Sequence, residues 1–188
     1  MKAMLTHVSK QYKGVPVLRD VTLTLEGTTV LMAPSGRGKT TLARLLLGLE
    51  QPDEGRVECT GHLVAQFQED RLCPQLSAVQ NVALAAAQCS LDQIVQALQQ
   101  LGLNQQDLHK QAAQLSGGQA RRVALARALL APGDGIILDE PFKGLDETTR
   151  QKAIRWVQDT LQGRWLLLIT HDQQEAAAFG GVCLRWNP

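Results

Sequence analysis

Residues Val30–Gly48 read VLMAPSGRGKTTLARLLLG. The apolar run Thr28 to Met32 fits a short buried strand. It enters a turn of Pro34, Ser35, Gly36, Arg37 and Gly38. From Thr40 to Leu49 apolar residues recur at helical spacing, with Gly48 near the end. A strand, a glycine-rich turn, Lys39-Thr40 and a helix form the layout of a loop that holds phosphate. Backbone N–H groups at a helix N-terminus point at the anion, and Gly36 and Gly38 let the chain wrap around it. Lys39 brings positive charge to the phosphates, and Thr40 offers a hydroxyl to Mg²⁺. The common pattern asks for Gly at its first position, where this chain has Ala33. A positive φ would strain Ala by about 1–2 kcal/mol. Pro34 follows, however, and the residue before a proline is pushed to an extended backbone with negative φ. Ala33 is therefore expected to end the strand and leave the loop's shape intact.

The rest of the chain supplies a scaffold for such a loop. Its 188 residues are enough for one domain with a real core, and 44% of them are hydrophobic. A formal net charge of +1 gives no support to a nucleic-acid grip. The run WLLLIT is too short to span a bilayer, and the start MKAMLTHVSK lacks the apolar core of a signal peptide. A cytoplasmic setting is expected. Cys59, Cys73, Cys89 and Cys183 form no C-x-x-C pair and have no His at zinc spacing, so they read as reduced thiols.

Residues 1 to 25 alternate apolar and polar residues in two stretches around a Lys-Gly turn, and RVECTGHLVAQF reads as two further short strands. The stretch from about Pro74 to Gln114 is rich in Ala, Leu and Gln. Leu91, Ile94, Val95, Leu98 and Leu101 share one helical face, with Ser90 as its cap. Beyond it, GIILDE and RWLLLITH are apolar strands that alternate with helices, which implies a parallel sheet covered on both faces. The fold class is therefore α/β: a phosphate-loop core with a mostly parallel sheet, a small antiparallel subdomain (1–27 and about 55–67) and an inserted helical subdomain (about 71–118), all in one domain.

A second constellation follows the helical insert. Leu115, Ser116, Gly117, Gly118 and Gln119 form a small-residue turn at the head of a helix expected from near Ala120. Exposed N–H groups and the positive end of a helix dipole again suit an anion. One chain needs one phosphate loop per nucleotide, so a second such turn suggests a site completed by another molecule. GIILDE ends its strand on Asp139 and Glu140, where ligands bind in open α/β sheets. Asp139 can hold a Mg²⁺ hydration shell, and Glu140 can polarise a water.

Together these stretches resemble the nucleotide-binding subunit of ATP-binding cassette (ABC) transporters over essentially the whole chain. APSGRGKTT, which includes Thr41, looks like the Walker A loop, LSGGQ like the family signature and IILDE like Walker B. GLD, ending at Asp146, looks like the D-loop, and THD, with His171, like the H-switch. QFQEDRLCP is similar to the Q-loop region. There Gln68 is the better match and Gln66 the competing one, because the family pattern places Glu, Arg and Leu just after the loop glutamine. Tyr12, in VSKQYKG, matches the aromatic that stacks on adenine.

The resemblance implies two cassettes packed head to tail, with ATP between the Walker A loop of one and the signature of the other. It implies that Thr40, Asp139 and Gln68 serve Mg²⁺ and that Glu140 is the general base. His171 would contact the γ-phosphate, and Ser116 and Gly118 would reach that phosphate from the partner. The implied partners are a second nucleotide-binding subunit, a separate membrane permease and a solute-binding protein, with the chain lying on the inner face of the cell membrane. FQEDRLCPQLSAVQNV looks like the matching stretch of importers for nitrate, aliphatic sulfonates and taurine. A soluble ABC ATPase without a transport role is the alternative.

This chain also departs from the family pattern. Ala33 stands at the first Walker A position, and Lys143 and Gly144 stand where Ser and Ala are usual. The segment between Lys39 and Gln68 is short, which suggests a trimmed antiparallel subdomain, and the chain stops soon after VCLRW.

Overall fold

The structure is a computed structural model that describes residues 1–32, 34 and 36–186. The chain divides into two compact units. The first comprises Met1–Leu63, Gly133–Asp139 and the chain from Arg164 onward. The second comprises Val64–Pro132 and Glu140–Gly163.

In the first unit, β1 (Lys2–Tyr12), β2 (Val15–Glu26) and β4 (Glu54–Cys59) form an antiparallel sheet of order β2-β1-β4. Tyr12 pairs with Val15 across a two-residue turn, Lys13-Gly14, whose φ angles are 50° and 80°. Two positive φ values in a two-residue loop give the turn a twist that matches the strands it joins. The expected antiparallel segment to residue 67 is too long. Among the described residues this sheet ends at Cys59, and β5 (Leu63–Gln66) lies outside it.

The second sheet of this unit is parallel. β3 (Thr28–Met32) lies between β7 (Trp165–Thr170) and β8 (Val182–Arg185), and β6 (Gly135–Asp139) pairs with β7. Every residue of β6 and β7 is buried. Their unbroken apolar runs thus mark strands covered on both faces, with each fully buried Leu or Ile contributing roughly 1.5–3 kcal/mol. α1 (Lys39–Leu46) follows β3, and α7 (Gln173–Phe179) packs against β3 and β7. α1 stops at Gly48, whose φ is 66°. There the Gly48 N–H donates to Leu45 O and the Leu49 N–H to Arg44 O, satisfying the last carbonyls of the helix.

The second unit is built from helices: α2 (Ala78–Ala83), α3 (Leu91–Gln100), α4 (Gln105–His109), α5 (Gly117–Leu130) and α6 (Glu147–Leu161). It reaches beyond the 71–118 segment expected for the helical insert and takes in α5 and α6. Four of these helices start with a capping box, at Ser77, Ser90, Asn104 and Ser116. Each box satisfies two N–H groups that the helix itself leaves open. α5 packs against α2, α3 and α6, and its Val123, Leu125 and Leu129 meet a core that includes Val82, Ile94 and Leu98.

Buried Asn81 secures the loop before α2. Its Nδ2 donates to the carbonyls of Cys73, Leu76 and Ser77, and its Oδ1 accepts from the Cys73 N–H. No helix among the described residues is long and apolar enough to cross a membrane. The four cysteines are free thiols.

Candidate active site

In the first unit the phosphate loop joins β3 to α1. Gly36 and Gly38 have φ angles of 79° and 75°. Gly38 is the N-cap of α1, and a Cβ there would lie 2.9 Å from the side chains of both Val17 and Leu18. Its glycine is therefore required by angle and by space. Among the described residues no side chain caps α1, and its first turn carries no acidic group. A helix start without an acid in its first turn suits an anion.

Lys39 is buried, and its Nζ donates to the Pro34 carbonyl at 2.9 Å, folding the lysine back over the loop. Thr40 Oγ1 donates to Asp139 Oδ2 at 3.0 Å, and Asp139 is buried at the end of β6. Thr41 is buried inside α1. Ala33 and Ser35 lie outside the described residues. The expectation of an extended Ala33 therefore falls there too.

Further first-unit residues frame this loop. Tyr12, at the end of β1, is partly exposed. Its hydroxyl donates to Glu50, which pairs with Arg44 of α1 at 3.0 Å. Burial, followed by the Glu50 bond, raises the Tyr12 hydroxyl above its ordinary value. His171 is exposed just past β7. The turn that carries it is fastened from below. Buried Thr170 donates to buried Glu175 of α7 at 2.5 Å and accepts from the Asp172 N–H at 3.1 Å. Trp186 closes the far side. Its backbone N–H donates to Met32 O at 2.8 Å, and its indole Nε1 donates to the Arg37 carbonyl at 2.6 Å. A cavity of about 470 Å³ opens between the loop residues Pro34 and Arg37, His171, Arg185 and Trp186.

The second unit gathers the signature turn, Gln68, Glu140 and Asp146. α5 starts at Gly117, earlier than the expected Ala120, because Ser116 and Gln119 close a capping box. Ser116 Oγ accepts from the Gln119 N–H, and Gln119 Oε1 accepts from the Ser116 N–H. Leu115 precedes the cap, and Gly117 and Gly118 form the first turn. Asp146 caps α6 by accepting from the Thr149 N–H at 3.0 Å, and the Thr149 side chain, followed by that N–H, lowers its carboxyl below the ordinary value. Gln68 is exposed in the bend after β5. Gln66 is buried on β5, and its amide has no hydrogen-bond partner among the described residues.

Glu140 is buried with a φ of 49°, a left-handed backbone that a non-glycine residue adopts at a cost of about 1–2 kcal/mol. Two donors hold its carbonyl: the Lys143 N–H at 3.3 Å and Arg121 Nη1 at 3.2 Å. Arg121 of α5 also pairs with Asp70 at 2.9 Å, while Arg127 donates to the carbonyls of Asp70 and Arg71. Burial raises the Asp70 carboxyl, and the charges of Arg121 and Arg127 oppose that rise. One helix thus anchors both the segment after Gln68 and the turn that carries Glu140. Sequence reading missed Arg121, Asp70, Asn81, Glu50 and Trp186. Arg121 and Asp70, Glu50 and Tyr12, and Trp186 and Arg37 are distant along the chain, Asn81 bonds backbone within eight residues of itself, and no periodicity marks any of them.

A glycine-rich strand-to-helix loop, a buried lysine and a Thr–Asp pair of oxygens define the class: a phosphate-loop nucleotide hydrolase. Comparison with known proteins narrows it. The ABC transporter family model matches residues 18–143. The chain is 41% identical over 182 residues to the "Aliphatic sulfonates import ATP-binding protein SsuB 1" of Rhodococcus jostii, covering 92% of this chain and 74% of that one. It is 40% identical over 178 residues to the "Taurine import ATP-binding protein TauB" of Pseudomonas aeruginosa, covering 85% and 67%. It spans only 56% of a 36% identical Fe(3+) import relative from the same Rhodococcus. Among solved structures, a dimeric post-hydrolysis state of the ATP-binding cassette MJ0796 bound to ADP and Pi matches with a TM-score of 0.88 and 26% identity, over 98% of this chain and 95% of that one.

The chain belongs to the ABC transporter family. It is an ATP-binding and ATP-hydrolysing subunit, and the import relatives favour an energising role in transport over the non-transport alternative. The α/β fold class expected from the sequence holds.

Proposed function

We propose that the two units act together as one ABC ATPase domain that drives import of a small organic solute of the sulfonate or taurine kind through a separate membrane permease. The similarity to sulfonate and taurine import subunits supports that substrate class. The domain works as a dimer on the cytoplasmic face of the membrane, with a second copy as the natural partner and a solute-binding protein delivering cargo. The observation that carries the reading is the Thr40–Asp139 contact at 3.0 Å beside the start of α1, which has Gly38 as its N-cap.

ATP lies with its phosphates against the amides of Gly36, Arg37, Gly38 and Lys39. The Lys39 ammonium leaves the Pro34 carbonyl to meet them, and Tyr12 offers its ring to the adenine. The paired oxygens of Thr40 and Asp139 are hard donors that suit Mg²⁺, which needs only one or two protein oxygens beside those of a nucleotide. Bound there, Mg²⁺ neutralises phosphate charge. Gln68 is exposed in its bend and free to meet a ligand, which supports it over buried Gln66 as the loop glutamine.

Glu140 accepts a proton from the attacking water while the water oxygen bonds to the γ-phosphorus. The bond from phosphorus to the bridging oxygen breaks, and its electron pair leaves with ADP. His171 donates to the γ-phosphate. Ser116 and the Gly117 and Gly118 amides of the partner copy complete the phosphate's surroundings, with the partner's Asp146 turn beside them. Catalysis comes from positioning and fixed charge.

The test is Glu140→Gln. ATP binding is expected to persist, an ATP-bound dimer to accumulate, and turnover to vanish. Full hydrolysis by this variant would remove Glu140 as the base.

A further inference from the structure

The position that departs most in charge from the resembled pattern stands directly against the proposed base. Lys143 Nζ lies 3.2 Å from Glu140 Oε2. The two partners are unequal: the Glu140 side chain is 6% exposed and the Lys143 side chain 49%. Ordinary surface ion pairs contribute little, because water solvates both partners when they separate. Here the carboxylate is buried, so bulk water replaces the ammonium less readily than at a surface pair.

Backbone geometry keeps the pair in register. Glu140 is held left-handed at a φ of 49°, and the turn Glu140-Pro141-Phe142-Lys143 is closed by the Lys143 N–H on the Glu140 carbonyl. Arg121 Nη1 grips that same carbonyl, and Phe142 is buried inside the turn. The turn therefore delivers the ammonium to the carboxylate rather than leaving it to wander in solvent.

We propose that Lys143 is a positioning residue that restrains turnover by engaging the oxygen through which Glu140 takes the water proton. This rests on the reading of Glu140 as the base. While the ammonium holds Oε2, the carboxylate is turned toward the Lys143 side of the turn and is less available to the attacking water. Proton acceptance requires the ammonium to withdraw, and its half-exposed stem gives it a route to solvent. ATP binding does not involve this contact, so the restraint falls on the chemical step and not on affinity.

Steady-state ATP hydrolysis by the full chain tests this with four variants. Lys143→Met is expected to raise kcat by roughly threefold or more with KM for ATP unchanged, the size of effect a partly exposed ion pair can supply. Lys143→Arg restores the cation and is expected to keep the wild-type kcat. Glu140→Gln and the Lys143→Met, Glu140→Gln double variant are expected to be inactive. An unchanged or lowered kcat in Lys143→Met, alongside a dead Glu140→Gln, overturns the restraint and leaves Glu140 as the base. An active Glu140→Gln overturns both. A Lys143→Arg variant as fast as Lys143→Met also overturns the restraint, because the effect would then not follow the charge.

Discussion

Two helices begin on glycine-rich turns that look alike in sequence, and the structure finishes them differently. α1 begins at Gly38 with no side-chain cap among the described residues and no acid in its first turn. α5 begins at Ser116, which exchanges two hydrogen bonds with Gln119. Each helix start leaves N–H groups open, and an uncapped start keeps its demand for an outside acceptor. An anion bound at the start of α1 would meet that demand. α5 meets much of it alone and retains the amides of Gly117 and Gly118 and the Ser116 hydroxyl hydrogen. The difference suits a loop that holds phosphate by itself and a turn that only finishes a site held by another chain. It also accounts for Lys39, which lies folded on the Pro34 carbonyl. A buried ammonium needs a partner, and the loop supplies a provisional one.

The largest expected effect that could break this contrast comes from Lys39→Ala. Removing one partner of a buried, charge-assisted contact costs about 2–5 kcal/mol, or roughly thirtyfold to several thousandfold in affinity. ATP binding measured by calorimetry should fall by that amount while thermal stability stays near wild type. Unchanged binding would refute the assigned loop.

Gly38→Ala is the next in size. The new Cβ would stand 2.9 Å from Val17 and Leu18 and 3.2 Å from the Val17 carbonyl, at a φ of 75°. About 2 kcal/mol of stability is expected to be lost from strain and overpacking together. The midpoint of denaturant unfolding reports it, and a midpoint equal to wild type would mean that the loop does not need its left-handed residue.

Much of this was readable from the sequence, for particular reasons. GIILD and WLLLIT announce a parallel core because strands buried on both faces have no polar side to display. Ser90 was legible as a cap because a capping box is local, with its partner three residues along. The same local rule could have moved the start of α5 from Ala120 to Gly117, since Gln119 stands three residues after Ser116. The limit at residue 67 failed for a different reason. A short strand such as Leu63–Gln66 carries no sign of which neighbour it will pair with, and membership of a sheet is a property of the fold. Asp70 and Arg121 were silent for the same reason. An acid in a loop and an arginine on a helix read as solvated charges until packing brings them to 2.9 Å. Lys143 was visible only as a departure, and its meaning came with the burial of Glu140.

The smallest expected effect sharpens the comparison most. Ser116 is assigned two duties, capping its own helix and reaching a phosphate on another chain, and two substitutions separate them. Ser116→Ala removes the cap and should cost about 1 kcal/mol of stability, whereas Ser116→Gly should cost only a few tenths, because glycine is itself a tolerated N-cap. Stability should therefore distinguish the variants, and turnover should not if the hydroxyl serves the partner's nucleotide. Both variants then lose kcat to the same degree, with ATP binding to the isolated subunit unchanged. If kcat instead follows stability, with Gly near wild type and Ala reduced, the hydroxyl acts only as a cap. The partner's contact would then come from the Gly117 and Gly118 amides, and α5 would resemble α1 more closely than its capping box suggests.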